Sequence, residues 1–169
     1  LALKFQGQYD AAFDAFYKAV WNAAWQDAAY FELAQLAARS GRWEEALALA
    51  VRSLERNWRR HQARQLKIAI LRRLGRTGEA AAEITTALDL DPMEFGALWE
   101  SHLLDGDPRF AQLAGDGGTI HTAIALDYAH AGLWNEALAL LDAAPTSPLR
   151  DYYRGWVFAQ SGQREAAAA

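Results

Sequence analysis

The residues best suited to acid–base work or to metal ligation are four histidines, His61, His102, His121 and His130, and the chain has no cysteine. No two of the histidines stand four apart with a glutamate between them. That spacing would set two imidazoles and a general base on one helix face. They read as scattered surface or interhelix side chains. Gly115-Asp116-Gly117-Gly118 has the glycine density of a phosphate cradle. It lacks a preceding strand and a terminal Gly-Lys-Ser/Thr, so it reads as a loop. Asp105-Gly106-Asp107 opens like a calcium loop but lacks the remaining ligands, notably a glutamate at position twelve. No Ser-His-Asp set can be picked out. Without thiols, disulfides and thiolate metal sites are excluded. The expectation is a domain that is not an enzyme and holds no cofactor or metal.

Two other residue classes could bind rather than react. Arg56, Arg59, Arg60, Arg64 and Lys67 form a basic block: from Arg52 to Arg76 nine Arg or Lys face one acid, a net of +8. From Glu79 to Asp116 nine acids face one Arg, a net of −8, so charge alternates along a chain whose net charge is −4. The pI of about 5.5 and the adjoining acidic half argue against nucleic acid as the partner. Glu44 and Glu45 read as solvated acids at the positive end of a helix. Of the seven tryptophans, Trp43 and Trp134 recur in one slot and are expected in the core. Trp21, Trp25 and Trp58 are expected between helices or at an exposed end.

The elements that must position these residues are helices. Ala, Leu, Glu, Arg and Gln dominate, which lose least in a helix, and runs of Val, Ile and Thr are nearly absent. No apolar run approaches the roughly 18 residues needed to span a bilayer, and no signal peptide is visible. The organising feature is a repeat. Gly7-Gln8-Tyr9-Asp10-Ala11-Ala12, Gly41-Arg42-Trp43-Glu44-Glu45-Ala46 and Gly75-Arg76-Thr77-Gly78-Glu79-Ala80 share the pattern Gly-x-aromatic-x-x-Ala, with Thr77 in the aromatic slot of the third. Their glycines fall 34 residues apart. Gly132-Leu133-Trp134-Asn135-Glu136-Ala137 is a further copy, and Gly162-Gln163-Arg164-Glu165-Ala166 a weaker one. Each glycine ends a helix in a left-handed conformation, and the alanine is small because two helices cross closely there. Asp91-Pro92 closes the third copy. About ten or eleven helices are expected, with Gly7, Gly41, Gly75 and Gly132 between paired helices. The pattern breaks at 93–117, where Asp105-Gly106-Asp107-Pro108 signals a turn. Gly75 and Gly132 are 57 residues apart, too few for two full copies. This stretch reads as one degenerate repeat with a shortened second helix.

These motifs resemble the tetratricopeptide repeat family over roughly residues 1–92 and 118–169. The resemblance implies an all-α fold, a right-handed α-solenoid of antiparallel helix pairs in which residues 1–169 form one unit. It also implies a function, since stacked pairs leave a concave groove that receives a peptide or a helix. The family's groove positions fall here on Phe31, Gln35 and Arg39, on Gln65, Arg72 and Arg73, on Trp99, on Thr122 and His130, and on Tyr152 and Trp156. Chaperone-binding members hold a C-terminal carboxylate with Lys and Asn at two of these positions. Phe31 with Gln35, and Gln65 with Ala69, stand there instead, which speaks against a carboxylate clamp. The inner arginines suggest an acidic peptide, or else pair with acids such as Glu32 and Glu100.

Leu74-Gly75-Arg76, Leu90-Asp91-Pro92, the stretch Ala125-Leu126-Asp127-Tyr128-Ala129-His130-Ala131-Gly132-Leu133-Trp134, and Tyr152-Tyr153-Arg154-Gly155-Trp156 also look like the tails of large bacterial proteins that carry a mutarotase-like, β-rich domain. Both ends of the chain fall within helical pattern, which reads as a piece of a longer protein. The expected function is therefore a protein-interaction or assembly module. The alternative is a structural spacer or oligomerisation domain of a larger carbohydrate-active protein. Expected partners are a protein or peptide, parent-chain domains or a second copy, with neither nucleic acid nor membrane. A cytoplasmic setting is favoured, the compartment itself being unread.

Overall fold

A computed structural model describes residues 1–163. Among these residues the chain is all helical, with no strand. The helices are α1 (Ala2–Phe5), α2 (Tyr9–Ala19), α3 (Gln26–Arg39), α4 (Trp43–Arg56), α5 (His61–Arg73), α6 (Thr77–Leu90), α7 (Phe95–Asp105), α8 (Arg109–Leu113), α9 (Thr119–His130), α10 (Trp134–Ala143) and α11 (Pro148–Gln160), with a single 3₁₀ turn at Ala23–Trp25. The eleven helices among the described residues match the expected number. The part of the last glycine motif from Arg164 onward lies outside them.

Consecutive helices pack on one another, and the glycine motif makes the tight turns. Gly7, Gly41, Gly75 and Gly132 all sit at φ of +73° to +74°. Each turn closes with the same pair of backbone bonds. At the second, Gly41 N–H donates to Ala38 O and Arg42 N–H reaches back to Ala37 O. This pattern satisfies the orphan carbonyls of a helix end and demands a residue without a Cβ penalty. Gly162 closes α11 in the same way, through Gln163 N–H to Phe158 O.

The alanine five residues past each glycine is where the paired helices meet. Ala12, Ala46, Ala80 and Ala137 are buried. The aromatic slot meets expectation only in part. Tyr9, Trp43 and Trp134 are half-buried; Trp43 and Trp134 pack against the core, and each of the three rings also lies under a guanidinium. In the stretch 93–117, α7 ends on the left-handed Gly106. The helix that follows it, α8, has only five residues, and its Phe110 is buried against Trp99.

Asp105-Gly106-Asp107 is a helix-ending turn. Asp107 accepts from the Arg109 guanidinium, its backbone N–H and the Ser101 hydroxyl, which hold its carboxyl well below the usual range. Gly118 is the left-handed N-cap of α9, and Thr122 Oγ1 donates to its carbonyl. No described helix is long and apolar enough to cross a membrane.

Candidate functional site

The basic block does not form a free surface. Arg60 bonds Asp27 at 2.6 Å, Arg64 and Lys67 share Glu83, and Arg76 bonds Glu79. The alternating charge along the chain is thus largely cancelled once α5 lies beside its acidic neighbours. Within the block only Arg52, Arg56 and Arg59 have no carboxylate partner among the described residues, and Arg59 instead lies over the Trp58 ring.

The inner arginines are engaged by the second half of the chain. Arg72 Nε donates to Glu100 Oε2 at 2.8 Å, and its Nη2 stands 3.5 Å from Glu136. Arg73 approaches the same Glu136 at 3.3 Å and covers the Trp43 ring. Glu100 has no exposed surface and also accepts from the Tyr128 hydroxyl at 2.5 Å. Burial pushes the Glu100 carboxyl up against the pull of Arg72, and pushes the Tyr128 hydroxyl well up. Arg39 is held between the rings of Tyr9 and Trp134, 4.5 and 4.7 Å from their centroids, and donates to Ala129 O. Pairing with an acid, the alternative reading of these arginines, is what Arg72 does with Glu100. Glu32 pairs instead with Lys4, which is buried and also donates to Gln35.

Five of the eleven residues singled out for the groove have almost no surface to offer a partner. Phe31, Gln35, Gln65 and Trp99 are buried. Gln65 packs so tightly on α7 that a Cβ at Gly96 would stand 2.7 Å from its Oε1. Trp99 stacks on His102 and packs against Phe110, a core arrangement. Thr122 is also buried. Arg39, His130 and Trp156 do come together. With Lys4, Phe5, Tyr9 and Gln160 they line a recess of about 170 Å³, where burial lowers the pKa of the His130 imidazole. Tyr152 is exposed and edges onto Tyr153.

Another opening lies between α5, α7 and α9 and holds about 360 Å³. Its apolar wall is Met93, Phe95, Ile120 and Ile124; its polar wall is His61, Gln62, Gln65, Asp91, Glu94 and Asp127. No lysine or arginine lines it. Two of its three carboxylates have local duties. Asp91 accepts from Met93 N–H, and Glu94 caps α7 through Ala97 N–H with His61 3.9 Å away. Asp127 has no hydrogen-bond partner among the described residues. Burial raises its pKa to about 6, with Lys4 as the one opposing charge.

Sequence reasoning passed over Asp127 and Lys4. A signal was present for Asp127: it is the single carboxylate in the otherwise largely apolar Thr119–His130 helix.

Next to this cleft, along the end of the molecule where α4 turns into α5 and α6 into α7, runs a row of exposed large side chains. Trp58 is 53% exposed, Leu90 53% and Met93 49%. Trp21 and Trp25, at 85% and 63%, occupy the corresponding connection between α2 and α3. A second recess of about 270 Å³, lined by Trp58, Arg59 and Leu90, shares His61, Asp91 and Glu94 with the cleft. The exposed row and the cleft therefore form one continuous surface. Among the described residues no three His, Asp or Glu converge as a metal-holding set. No protein-family model and no curated protein matches the chain.

Proposed function

We propose that this chain is a protein-interaction or assembly module, a right-handed helical solenoid of the tetratricopeptide type whose concave side receives a peptide or a partner domain. The observation that carries this reading is the continuity between the α5/α7/α9 cleft and the exposed row Trp58, Leu90 and Met93. Contiguous exposed apolar surface rimmed by polar groups marks interaction sites. Aromatic and arginine side chains, here Trp58 beneath Arg59, are the types that most often anchor them. The 34-residue glycine step and the uniform turn geometry support the solenoid.

Ala123 is exposed on α9 and lines the cleft. Ala123→Trp should fill the opening without touching the core. Affinity capture from the source cell should recover a partner with wild type and lose it with Ala123→Trp. If both recover the same proteins at the same salt, the groove reading is to be dropped.

The alternative, a spacer or oligomerisation domain of a larger protein, is favoured by one observation. At the first helices Leu1, Phe5, Tyr17 and Trp21 are exposed. Its carbohydrate-active bacterial parent rests on the sequence resemblance alone. Sedimentation of wild type and Trp21→Asp would separate this reading, since self-association through that end would be lost in the variant.

A further inference from the structure

We infer that the cleft between α5, α7 and α9 takes a cationic side chain, a lysine or arginine of a partner segment, with Asp127 as its counter-ion. This rests on the interaction reading above and specifies it.

The cleft holds unmet negative charge. The inner arginines Arg72 and Arg73, which on sequence grounds would draw an acidic peptide, are occupied by Glu100 and Glu136. The surface left open beside them has the opposite sign. It is lined by Asp91, Glu94 and Asp127 with no lysine or arginine. Asp91 and Glu94 already accept backbone N–H bonds, whereas the Asp127 carboxylate accepts none among the described residues. A half-buried carboxylate without a donor is costly to keep charged, and a guanidinium or ammonium is the group that would relieve it.

The walls fit the rest of such a side chain. Ile120, Ile124, Met93 and Phe95 offer apolar contact to a methylene stem. Lys4 is the nearby cation. It is committed to Glu32 at 2.6 Å and to Gln35, so it does not neutralise Asp127 by direct contact.

The charged groups facing Asp127 are Lys4 from α1, His61 from α5, and Asp91 and Glu94 from the turn into α7. Binding of a cation should weaken as pH falls from 7.5 to 5. Over that range Asp127 takes up a proton and the counter-charge is lost.

The test uses the full chain labelled with ¹⁵N and three capped pentapeptides, Ala-Ala-Xaa-Ala-Ala with Xaa arginine, citrulline or glutamate. The arginine peptide should shift the amides of Gln65, Gly96, Ala123 and Asp127 and bind about tenfold more tightly than the citrulline peptide. Asp127→Asn should abolish that preference, and Ala123→Trp should abolish binding of all three, with circular dichroism confirming the fold of each variant.

Equal shifts from arginine and citrulline, or a preference untouched by Asp127→Asn, would overturn the cationic site and leave the groove reading standing. Preference for the glutamate peptide would do the same. No shift at these amides from any peptide would count against both.

Discussion

Gly132 lies against the Cα of Arg39, so close that a Cβ on the glycine would stand 2.9 Å from it. The turn between α9 and α10 therefore rests directly on the end of α3, and Arg39 reaches over it to Ala129 O and the Trp134 ring. Gly132 is required twice, for its φ of +74° and for this approach. At Gly75 a Cβ would meet nothing within 4 Å. Gly75→Ala should cost about 1 kcal/mol of left-handed strain. Gly132→Ala should cost at least about 1 kcal/mol more, the penalty of forcing an atom into a packed contact. Urea unfolding of the two variants checks this; equal costs would show that the α3 contact is not made.

Arg72→Ala leaves Glu100 buried with the Tyr128 hydroxyl as its remaining partner. The loss should reach about 3 kcal/mol at neutral pH, below the full cost of an orphaned buried charge because Glu100 can take up a proton. Burial already raises the Glu100 pKa. A group bound more tightly to its proton when folded contributes stability at low pH and loses it as pH rises through the folded value. Arg72→Ala should therefore recover part of its deficit as pH is lowered from neutrality, measured by denaturation at each pH.

Asp127 obeys the same sign. Its pKa is raised from 3.8 to about 6, so its contribution is present below about pH 4 and lost as pH rises through 6. Asp127→Asn should stabilise the chain at pH 7 by about 1–3 kcal/mol, since each tenfold change in proton affinity is worth about 1.4 kcal/mol. The gain should shrink towards pH 4. A variant equally stable to wild type at both pH values would mean that the carboxylate is solvated.

Ala80 is fully buried where α5 and α6 meet. Ala80→Leu should overpack that crossing and cost about 1–3 kcal/mol. An unchanged melting temperature would refute the packing register.

The pairing of helices was legible in the sequence because its causes are local. Gly41 and Gly75 end their helices by backbone geometry, and Ala46 and Ala80 mark close crossings, all within a few residues of one motif. The short α8 was legible from the Asp105–Pro108 turn. The state of the inner face was not, because it depends on partners far along the chain. Arg73 and Glu136 are 63 residues apart, and Arg39 and the Ala129 carbonyl 90. A repeat register says which side chains turn inward. It does not say which of them meet an opposite charge there, so Arg72 read equally as open to a partner or as paired with an acid such as Glu100, while Asp127 drew no notice. The guanidinium cover over Trp43 and Trp134 was not legible for the same reason, since the arginines that lie on those rings come from other hairpins.

The central claim is that partners bind in the cleft between α5, α7 and α9. The direct measurement places a photo-crosslinking amino acid at Ala123, inside the cleft, or at Thr85, exposed on α6. Irradiation in the source cell should give a discrete adduct from position 123 and none from position 85, with the adduct at 123 reduced by Asp127→Asn. An adduct from position 85 with none from 123 would contradict the account.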